Sequence, residues 1–384
     1  MSNHSWKVPL ADVVADEELL AAVHDTVSSG WWSMGPRVAA FEEAFEEAIG
    51  ARHALAVANG TAALHLALVA LGCGPGDEVI VPSLNFVAAA NTIVHTGATP
   101  VFCDIIGEDD LTLDPADLEA AVGPATKAIV VMHYGGFACR MDEIREIAAA
   151  RGLVIVEDAA HAPGATYRGR PCGTLGDIGC FSFFSNKNLP VGEGGMLVTG
   201  DPELVERLRL LRSHGMTTLT WDRHRGHASS YDVVAAGFNY RLDELRAAIG
   251  LVQLGRLREE NDRRRRASAR YRGALHATAG IVMPFDDANA LEASSHHLAV
   301  VLLPAGSDRD AVRARLQAEG IQTSVHYPPI HRFSHYAASP QRALPKTDDV
   351  AARLVTLPLF GGIEDGQVDL VIDHLLSALD GAGV

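Results

Sequence analysis

The chain has 384 residues, of which 48% are hydrophobic, and its 32 Lys and Arg against 48 Asp and Glu give a net charge of −16. This length can bury a substantial core and favours two domains. The negative charge argues against broad electrostatic binding of nucleic acid or of anionic membranes.

The cysteines, the histidines and the N-terminus narrow the class of protein further. None of the five cysteines forms a Cys-x-x-Cys pair, so we expect buried thiols and neither disulfides nor a zinc site. The closest histidine spacings, His224 with His227 and His331 with His335, have no carboxylate at a helpful offset, so we expect no metal. The N-terminus lacks a secretion signal and no stretch reaches roughly 18 apolar residues, which predicts a cytoplasmic protein without membrane spans.

Strand-like apolar runs alternate with helical patterns over the first part of the chain. Five runs occupy residues 53–57, 78–81, 100–103, 128–132 and 153–156. Such alternation predicts a layered α/β domain with a mostly parallel sheet. Two further runs, residues 178–184 and 196–199, flank a short Gly-rich loop.

The first strand leads into a candidate anion site. The chain passes from an apolar run through Asn-Gly-Thr into a helical pattern that opens with Gly60, Thr61 and Ala62. Free N–H groups and the positive end of the helix dipole favour a phosphate at Thr61 and Ala62, with the Thr61 hydroxyl as another donor. An ordinary N-capped helix is the alternative interpretation.

A carboxylate and a lysine carry the strongest chemical signal. Asp158 ends a buried run, at a place where ligands collect in parallel sheets, and it can hold a pyridine nitrogen in its protonated form. Lys187 follows Phe181, Phe183 and Phe184 in the Gly-rich loop. This apolar setting disfavours the charged amine, which can then form a Schiff base with an aldehyde cofactor. A helix N-cap at Asp158 and a surface lysine at position 187 are the structural alternatives.

The C-terminal third predicts a second, smaller α/β domain. Residues 256–272 are dense in charge and indicate a solvated connecting helix. Residues 295–304 then predict a strand, residues 308–319 a helix opened by Ser307, and residues 365–379 a closing helix. We therefore predict a large domain over residues 1–255, with an N-terminal arm, and a small domain over residues 256–384.

Together these segments resemble the DegT/DnrJ/EryC1/StrS family of sugar aminotransferases, which use pyridoxal 5′-phosphate (PLP). The resemblance runs from Trp32-Ser-Met-Gly-Pro-Arg-Val to Leu357-Pro-Leu-Phe, nearly the whole chain. It implies fold type I of the PLP-dependent transferases. That fold has a large α/β/α domain, whose seven-stranded mixed sheet is mostly parallel with one antiparallel strand, and a small C-terminal α/β domain.

The resemblance also implies a role for each candidate site residue. Lys187 would bond covalently to PLP, Asp158 would pair with the pyridinium nitrogen, and His161 would lie near the phenolic oxygen. Phe86 would cover the ring face, since stacking suits a planar conjugated ring. The phosphate would be held at Gly60, Thr61, Ala62 and Ser182.

A further segment implies a shared active site. Residues 237–254 resemble the family segment that lends an asparagine, here Asn239, to the phosphate of the neighbouring subunit of a homodimer. His326 and Tyr327, in a Val-His-Tyr-Pro-Pro loop, are weaker candidates for the substrate mouth. A rigid Pro-Pro turn with a packed aromatic is the alternative interpretation of that loop.

The activity implied is ping-pong transfer of an amino group through PLP and its pyridoxamine form, PMP. The donor would be an amino acid, glutamate by family habit. The acceptor would be a ketosugar linked to a nucleotide diphosphate, such as a dTDP-4-keto-6-deoxyhexose or its 3-keto isomer. Relatives that dehydrate ketosugars carry histidine at the lysine position, so Lys187 favours transamination. A cyclitol-ketone acceptor and a PLP-dependent dehydration remain open alternatives.

Overall fold

A seven-stranded mixed sheet organises the larger part of the molecule, as seen in a computed structural model that describes residues 6–218, 221, 230–337 and 342–380. The strand order is β1-β9-β8-β5-β4-β2-β3, and only β9 runs antiparallel to its neighbours. This arrangement confirms the predicted sheet. Its strands are β1 (His53–Val57), β2 (Glu78–Pro82), β3 (Thr99–Cys103), β4 (Thr126–Met132), β5 (Val154–Asp158), β8 (Ile178–Ser182) and β9 (Gly195–Thr199).

Helices cover both faces of this sheet because the side chains of its strands alternate between two apolar cores. On β1, Ala54 and Ala56 belong to one core, whereas Leu55 and Val57 belong to the other. The first core includes residues of α2 (Pro36–Ile49) and α6 (Met141–Arg151), and the second includes residues of α3 (Gly60–Ala70), α4 (Ala88–His95) and α7 (Pro202–Arg212). The result is the expected α/β/α layering.

The remaining elements complete the described chain. The helices still to be named are α1 (Glu17–Ser28), α5 (Pro115–Ala121), α8 (Glu244–Leu275), α9 (Ala288–Ala293), α10 (Arg309–Ala318), α11 (Pro345–Arg353) and α12 (Asp365–Asp380). Strands β6 (Thr166–Tyr167) and β7 (Arg170–Pro171) pair with each other, as do β10 (Ala299–Leu302) and β11 (Leu354–Leu357). Two 3₁₀ turns lie at Tyr134–Gly136 and Ile330–Arg332.

The long helix α8 joins the sheet to the C-terminal elements. It continues without interruption through residues 255 and 256, where the domain boundary was predicted, so that division stays a prediction. A third apolar cluster packs around Tyr271, between α8, α10, α12 and the β10–β11 pair, and it also takes in Val8 from the N-terminal arm. The predicted cap of α10 was wrong: Asp308, one residue after Ser307, accepts from the N–H of Ala311 at 2.9 Å.

The sequence predicts buried cysteine thiols and no metal site. All five cysteines are buried free thiols, as expected. Across residues 6–218, 221, 230–337 and 342–380, no three His, Cys, Asp or Glu side chains cluster in a way that could hold a metal. His224 and His227 lie outside the described residues. No helix in this part of the chain combines the length and apolar character needed to cross a membrane.

Candidate active site

A cavity of about 410 Å³ opens where several strands of the large sheet end. Its wall comes from residues that follow the carboxyl ends of β1, β2, β5 and β8, the edge at which parallel α/β sheets bind ligands. The predicted residues brought together here are Gly60, Thr61, Phe86, Asp158, His161, Ser182, Lys187, His326 and Tyr327.

The loop that carries Lys187 is closed on itself by backbone hydrogen bonds. The N–H of Phe183 donates to the carbonyl of Gly194 at 2.8 Å, and the N–H of Val191 returns to the carbonyl of Phe183 at 2.8 Å. Phe183 is fully buried and packs its ring against Phe41 and Phe45, which anchors the start of the loop in the core. Lys187 is therefore held on a rigid turn between β8 and β9.

The Lys187 amine sits in surroundings that disfavour its charge. Its side chain is partly accessible through the cavity, yet the protein around it keeps bulk water away. This desolvation lowers the pKa of Lys187 from 10.5 to about 8, although the negative charge of Asp158 opposes the shift. At pH 7 about a tenth of the amine is thus neutral and nucleophilic, far more than for an unperturbed lysine.

Asp158 also lines the cavity, at the last position of β5. Its carboxylate accepts from the N–H of Ala160 at 3.2 Å and is 5% exposed. Burial raises the pKa of Asp158, while the Ala160 N–H, the Lys187 charge and the neighbouring Asn85 side chain oppose this rise. A cation placed in the cavity beside Asp158 would lower that pKa again and be stabilised in return.

The first turn of α3 forms the end of the cavity nearest β1. Asn59 caps this helix: its side chain accepts from the N–H of Ala62 at 2.8 Å, and its carbonyl accepts from the N–H of Ala63 at 3.1 Å. The first-turn N–H groups of Gly60 and Thr61 are thereby left to a ligand. Ser182 lies against Gly60, because a Cβ built on Gly60 would fall 2.7 Å from the Ser182 Cβ. This crowded contact brings the β8 hydroxyl to the helix N-terminus.

A hydrogen-bonded pair closes the side of the cavity near the C-terminal elements. The N–H of Gly135 donates to Nδ1 of His161 at 3.3 Å, so Nε2 carries the proton and donates to the Tyr327 hydroxyl at 2.9 Å. Burial, together with the positive charge of Lys187, holds the pKa of His161 well below its usual range. Tyr327 also contacts Phe86, whose ring centroid lies 5.7 Å away and whose side chain is 52% exposed at the mouth.

Two predicted residues do not line this cavity. Ala62 stands in the first turn of α3, but its N–H is already used by Asn59. Asn239 is exposed and its backbone pairs with Ser213, away from the cavity of its own chain. It is therefore free to face another molecule.

Several site residues were missed from the sequence. Asn59 could have been recognised, because an asparagine before a helical pattern is a favoured N-cap. Asn186 and Glu193 line the cavity on either side of the Lys187 turn, and Phe184, 45% exposed, lines it as well. Nothing in the spacing of Asn85 distinguishes it from a turn residue.

Comparison with known proteins agrees with this geometry. The fold is that of a PLP-dependent aminotransferase. A model of the DegT/DnrJ/EryC1/StrS aminotransferase family matches residues 14–376. The chain belongs to this family, and it is a PLP-dependent sugar aminotransferase.

Individual relatives cover almost the whole chain. The spore coat polysaccharide biosynthesis protein SpsC of Bacillus subtilis (strain 168) is 42% identical over 385 residues, 98% of each chain. DesI, solved in the presence of its TDP-sugar product, is 34% identical with a TM-score of 0.88, over 99% of this chain and 94% of DesI. Spr1654 from Streptococcus pneumoniae, solved in PLP and PMP forms, is 29% identical with a TM-score of 0.91, over 98% of this chain and 100% of Spr1654.

Proposed function

We propose that this enzyme moves an amino group from L-glutamate to a ketosugar carried on a nucleotide diphosphate, a dTDP-4-keto-6-deoxyhexose or its 3-keto isomer, for aminodeoxysugar synthesis. The observation that supports transfer most directly is the Lys187 amine, whose pKa is lowered to about 8 in a cavity that also holds Asp158. A lysine of this kind can bond to an aldehyde and later carry a proton.

The cavity has the donors that the cofactor needs. When bound, PLP supplies the aldehyde carbon that takes up the amino group and the ring that withdraws electrons from the reacting bond. The Gly60 and Thr61 N–H groups and the Ser182 hydroxyl offer donors to its phosphate, at a helix N-terminus that favours negative charge. Asp158 offers the carboxylate for a protonated ring nitrogen, and His161 offers a neutral ring for the phenolic side.

The protein's own groups divide the work between them. Lys187 would hold PLP through its amine at rest, and the freed amine would accept and return the proton that moves during transfer. Asp158 would favour the protonated form of the ring nitrogen, because its buried carboxylate would gain a counter-ion there. The Tyr327 hydroxyl, fixed by His161, and the Phe86 ring lie where a sugar would enter, which supports their role at the substrate mouth.

The nucleotide-sugar acceptor is supported by the cavity rim and by the relatives. Phe86 and Phe184 leave 52% and 45% of their surface exposed at the entrance, where apolar sugar faces and bases can stack. The similar protein DesI was solved in the presence of its TDP-sugar product. A homodimer in which Asn239 reaches the partner's phosphate site is part of the proposal, supported by the exposure of Asn239 on its own chain. A cytoplasmic location follows from such substrates.

The test is transfer of labelled nitrogen. The purified enzyme with PLP receives ¹⁵N-glutamate and either a dTDP-ketosugar or a cyclitol ketone, and products are identified by mass spectrometry and NMR. We expect ¹⁵N in the dTDP-sugar, and no transfer by the Lys187→Ala variant. If ¹⁵N appears only in the cyclitol, the acceptor is a cyclitol ketone and not a nucleotide-linked ketosugar. If the sugar loses water and gains no ¹⁵N, the reaction is dehydration and not transamination.

A further inference from the structure

Residues 295–297, a short segment before β10, form hydrogen bonds to Gly135 and to His161, which lines the cavity. The N–H of His297 donates to the carbonyl of Gly135 at 2.8 Å, and the Ser295 hydroxyl donates to the carbonyl of His161 at 2.7 Å. Gly135 is also the donor to His161 Nδ1. Residues 295–297 therefore form the outer support of the cavity wall that holds His161.

His297 connects this support to the lysine loop. Its Nδ1 lies 2.8 Å from the side-chain oxygen of Asn188, the residue that follows Lys187. The ring of His297 also lies against that of His161, with 4.3 Å between centroids. One buried side chain thus contacts both Asn188, the neighbour of Lys187, and His161, which lines the cavity.

The direction of the His297 hydrogen bond follows from the groups around Asn188. Asn188 Nδ2 lies 2.7 Å from the carbonyl oxygen of Ser295, which can only accept, and 2.7 Å from Asn261 Oδ1. Asn261 Nδ2 in turn donates to the carbonyl of Pro163 at 2.9 Å. Asn188 Oδ1 is therefore the acceptor, and His297 donates through Nδ1. Asn188 is 4% exposed, so losing this donor would leave a buried oxygen unpaired.

We propose that His297 is a positioning residue that acts through Asn188 to hold Lys187 at its place in the cavity, and through ring contact to hold His161. The inference deepens the proposed role of Lys187. Asn188 makes three side-chain hydrogen bonds to two segments, α8 and residues 295–297, and of its partners only His297 has a ring that also contacts His161. Removing the His297 donor leaves the Asn188 oxygen without a donor and weakens the attachment of the residue that follows Lys187.

The charged and titratable groups that face Lys187 define what a test can measure. Asp158, His161, His297 and His326 all interact with the Lys187 charge. Burial holds the pKa of His297 well below its usual range, with His161, Lys187 and Arg264 adding to the effect. His297 is thus a neutral donor, and its replacement changes the position of Lys187 without removing a charge.

The experiment measures the pKa of Lys187 in cofactor-free enzyme, by trace acetylation at a series of pH values followed by mass spectrometry. His297→Phe keeps a ring but removes the donor, and His297→Gln moves the donor to the far end of the side chain. In both we expect Lys187 to become more solvated and its pKa to rise by about one pH unit or more. His297→Asn, which places an N–H near the position of Nδ1, should keep the wild-type value.

The neighbouring histidine provides the matched control. His296 is also buried, and its Nε2 bonds to the carbonyl of Leu291 at 2.8 Å. Its backbone has φ of 48°, a conformation that asparagine tolerates, so His296→Asn disturbs the same segment without touching Asn188. We expect no change in the Lys187 pKa for this variant.

Two outcomes would overturn the inference. One is an unchanged Lys187 pKa in folded His297→Phe and His297→Gln, with folding checked by circular dichroism. The other is an equal rise in His296→Asn. If His297→Phe does not fold, the comparison of His297→Gln with His297→Asn tests the inference by itself. Because no sugar or glutamate takes part, the result is independent of whether the ¹⁵N-transfer test succeeds.

Discussion

Gly60 and Ser182 approach so closely that a single added methyl group would not fit between them: a Cβ on Gly60 would lie 2.7 Å from the Ser182 Cβ and 3.1 Å from its hydroxyl oxygen. The contact joins the N-terminus of α3 to the end of β8. It sets the distance between the backbone and hydroxyl donors that we assign to the cofactor phosphate.

Gly60→Ala should therefore weaken PLP binding. The new methyl must push Ser182 or the first turn of α3 aside, and we expect PLP affinity to fall by about tenfold or more. Titration of cofactor-free enzyme by fluorescence measures this. Gly255→Ala is the control, since an added Cβ there meets nothing within 4 Å in the middle of α8, and it should bind PLP normally. Equal affinities for both variants would remove Gly60 from the phosphate site.

Substitutions of Asp158 and of its neighbour Glu157 should affect activity and stability separately. Burial raises the pKa of Asp158 without cofactor, so ionisation of this group opposes folding and its contribution to stability is lost as pH rises through the folded pKa. Asp158→Asn should consequently make cofactor-free enzyme at least as stable at neutral pH, while transamination falls by about a hundredfold or more. Urea unfolding and steady-state rates measure the two effects.

Glu157→Gln should lower the stability of the enzyme and leave its activity unchanged. The Glu157 carboxylate accepts from the N–H groups of Gly173, Leu175 and Gly176 at 2.7, 2.6 and 2.5 Å, and from His133 Nε2 at 2.8 Å. A glutamine replaces one acceptor oxygen by a donor and leaves buried N–H groups unpaired. We expect a loss of about 2–4 kcal/mol in unfolding free energy with the active fraction retaining its rate. A stable but inactive Glu157→Gln would show that the roles of the two carboxylates were misassigned.

Uptake of PLP should depend on pH with a midpoint near the pKa of Lys187. Desolvation lowers that pKa to about 8, and only the neutral amine bonds to an aldehyde, so covalent uptake should accelerate as pH rises through about 8. Stopped-flow absorbance at the visible edge follows the reaction, and N-acetyl-lysine amide treated in parallel corrects for ionisation of PLP itself. A midpoint near the ordinary lysine value of 10.5 would contradict the desolvated setting.

The proposed sharing of sites between subunits predicts complementation. Lys187→Ala and Asn239→Ala homodimers should each be impaired. After subunit exchange, each mixed dimer would hold one site with both intact residues, so activity should recover to about a quarter of wild type at equal amounts. The control is each variant put through the same exchange procedure by itself. No recovery, with mixed dimers confirmed by native mass spectrometry, would mean that Asn239 serves its own chain or neither.

The sheet and the lysine loop were predictable because their signals are local. Alternating apolar runs locate the strands to within a few residues, and Lys187 lies between two of them. Contacts between distant segments could not be predicted in this way. His297 reaches Asn188 over 109 positions of the chain, and no periodicity marks either residue. Similarly, an asparagine cap was foreseeable at residue 59, but its use of the Ala62 N–H depends on the rotamer chosen in the fold.

Helix α8 also bears on how a bulky substrate enters. Arg246, in its N-terminal turn, donates hydrogen bonds to the carbonyls of Ala58 and Glu193. Further along the helix, Asn261 donates to the carbonyl of Pro163, and Arg264 donates to the carbonyl of Leu359. A sharp kink in α8 would interrupt its backbone hydrogen bonds and move these side chains away from their partners. The loops of the cavity and the C-terminal elements are thus tied to one uninterrupted helix, and we expect selectivity for the sugar to depend on the rim residues Phe86 and Phe184 more than on movement of one part of the molecule towards the other.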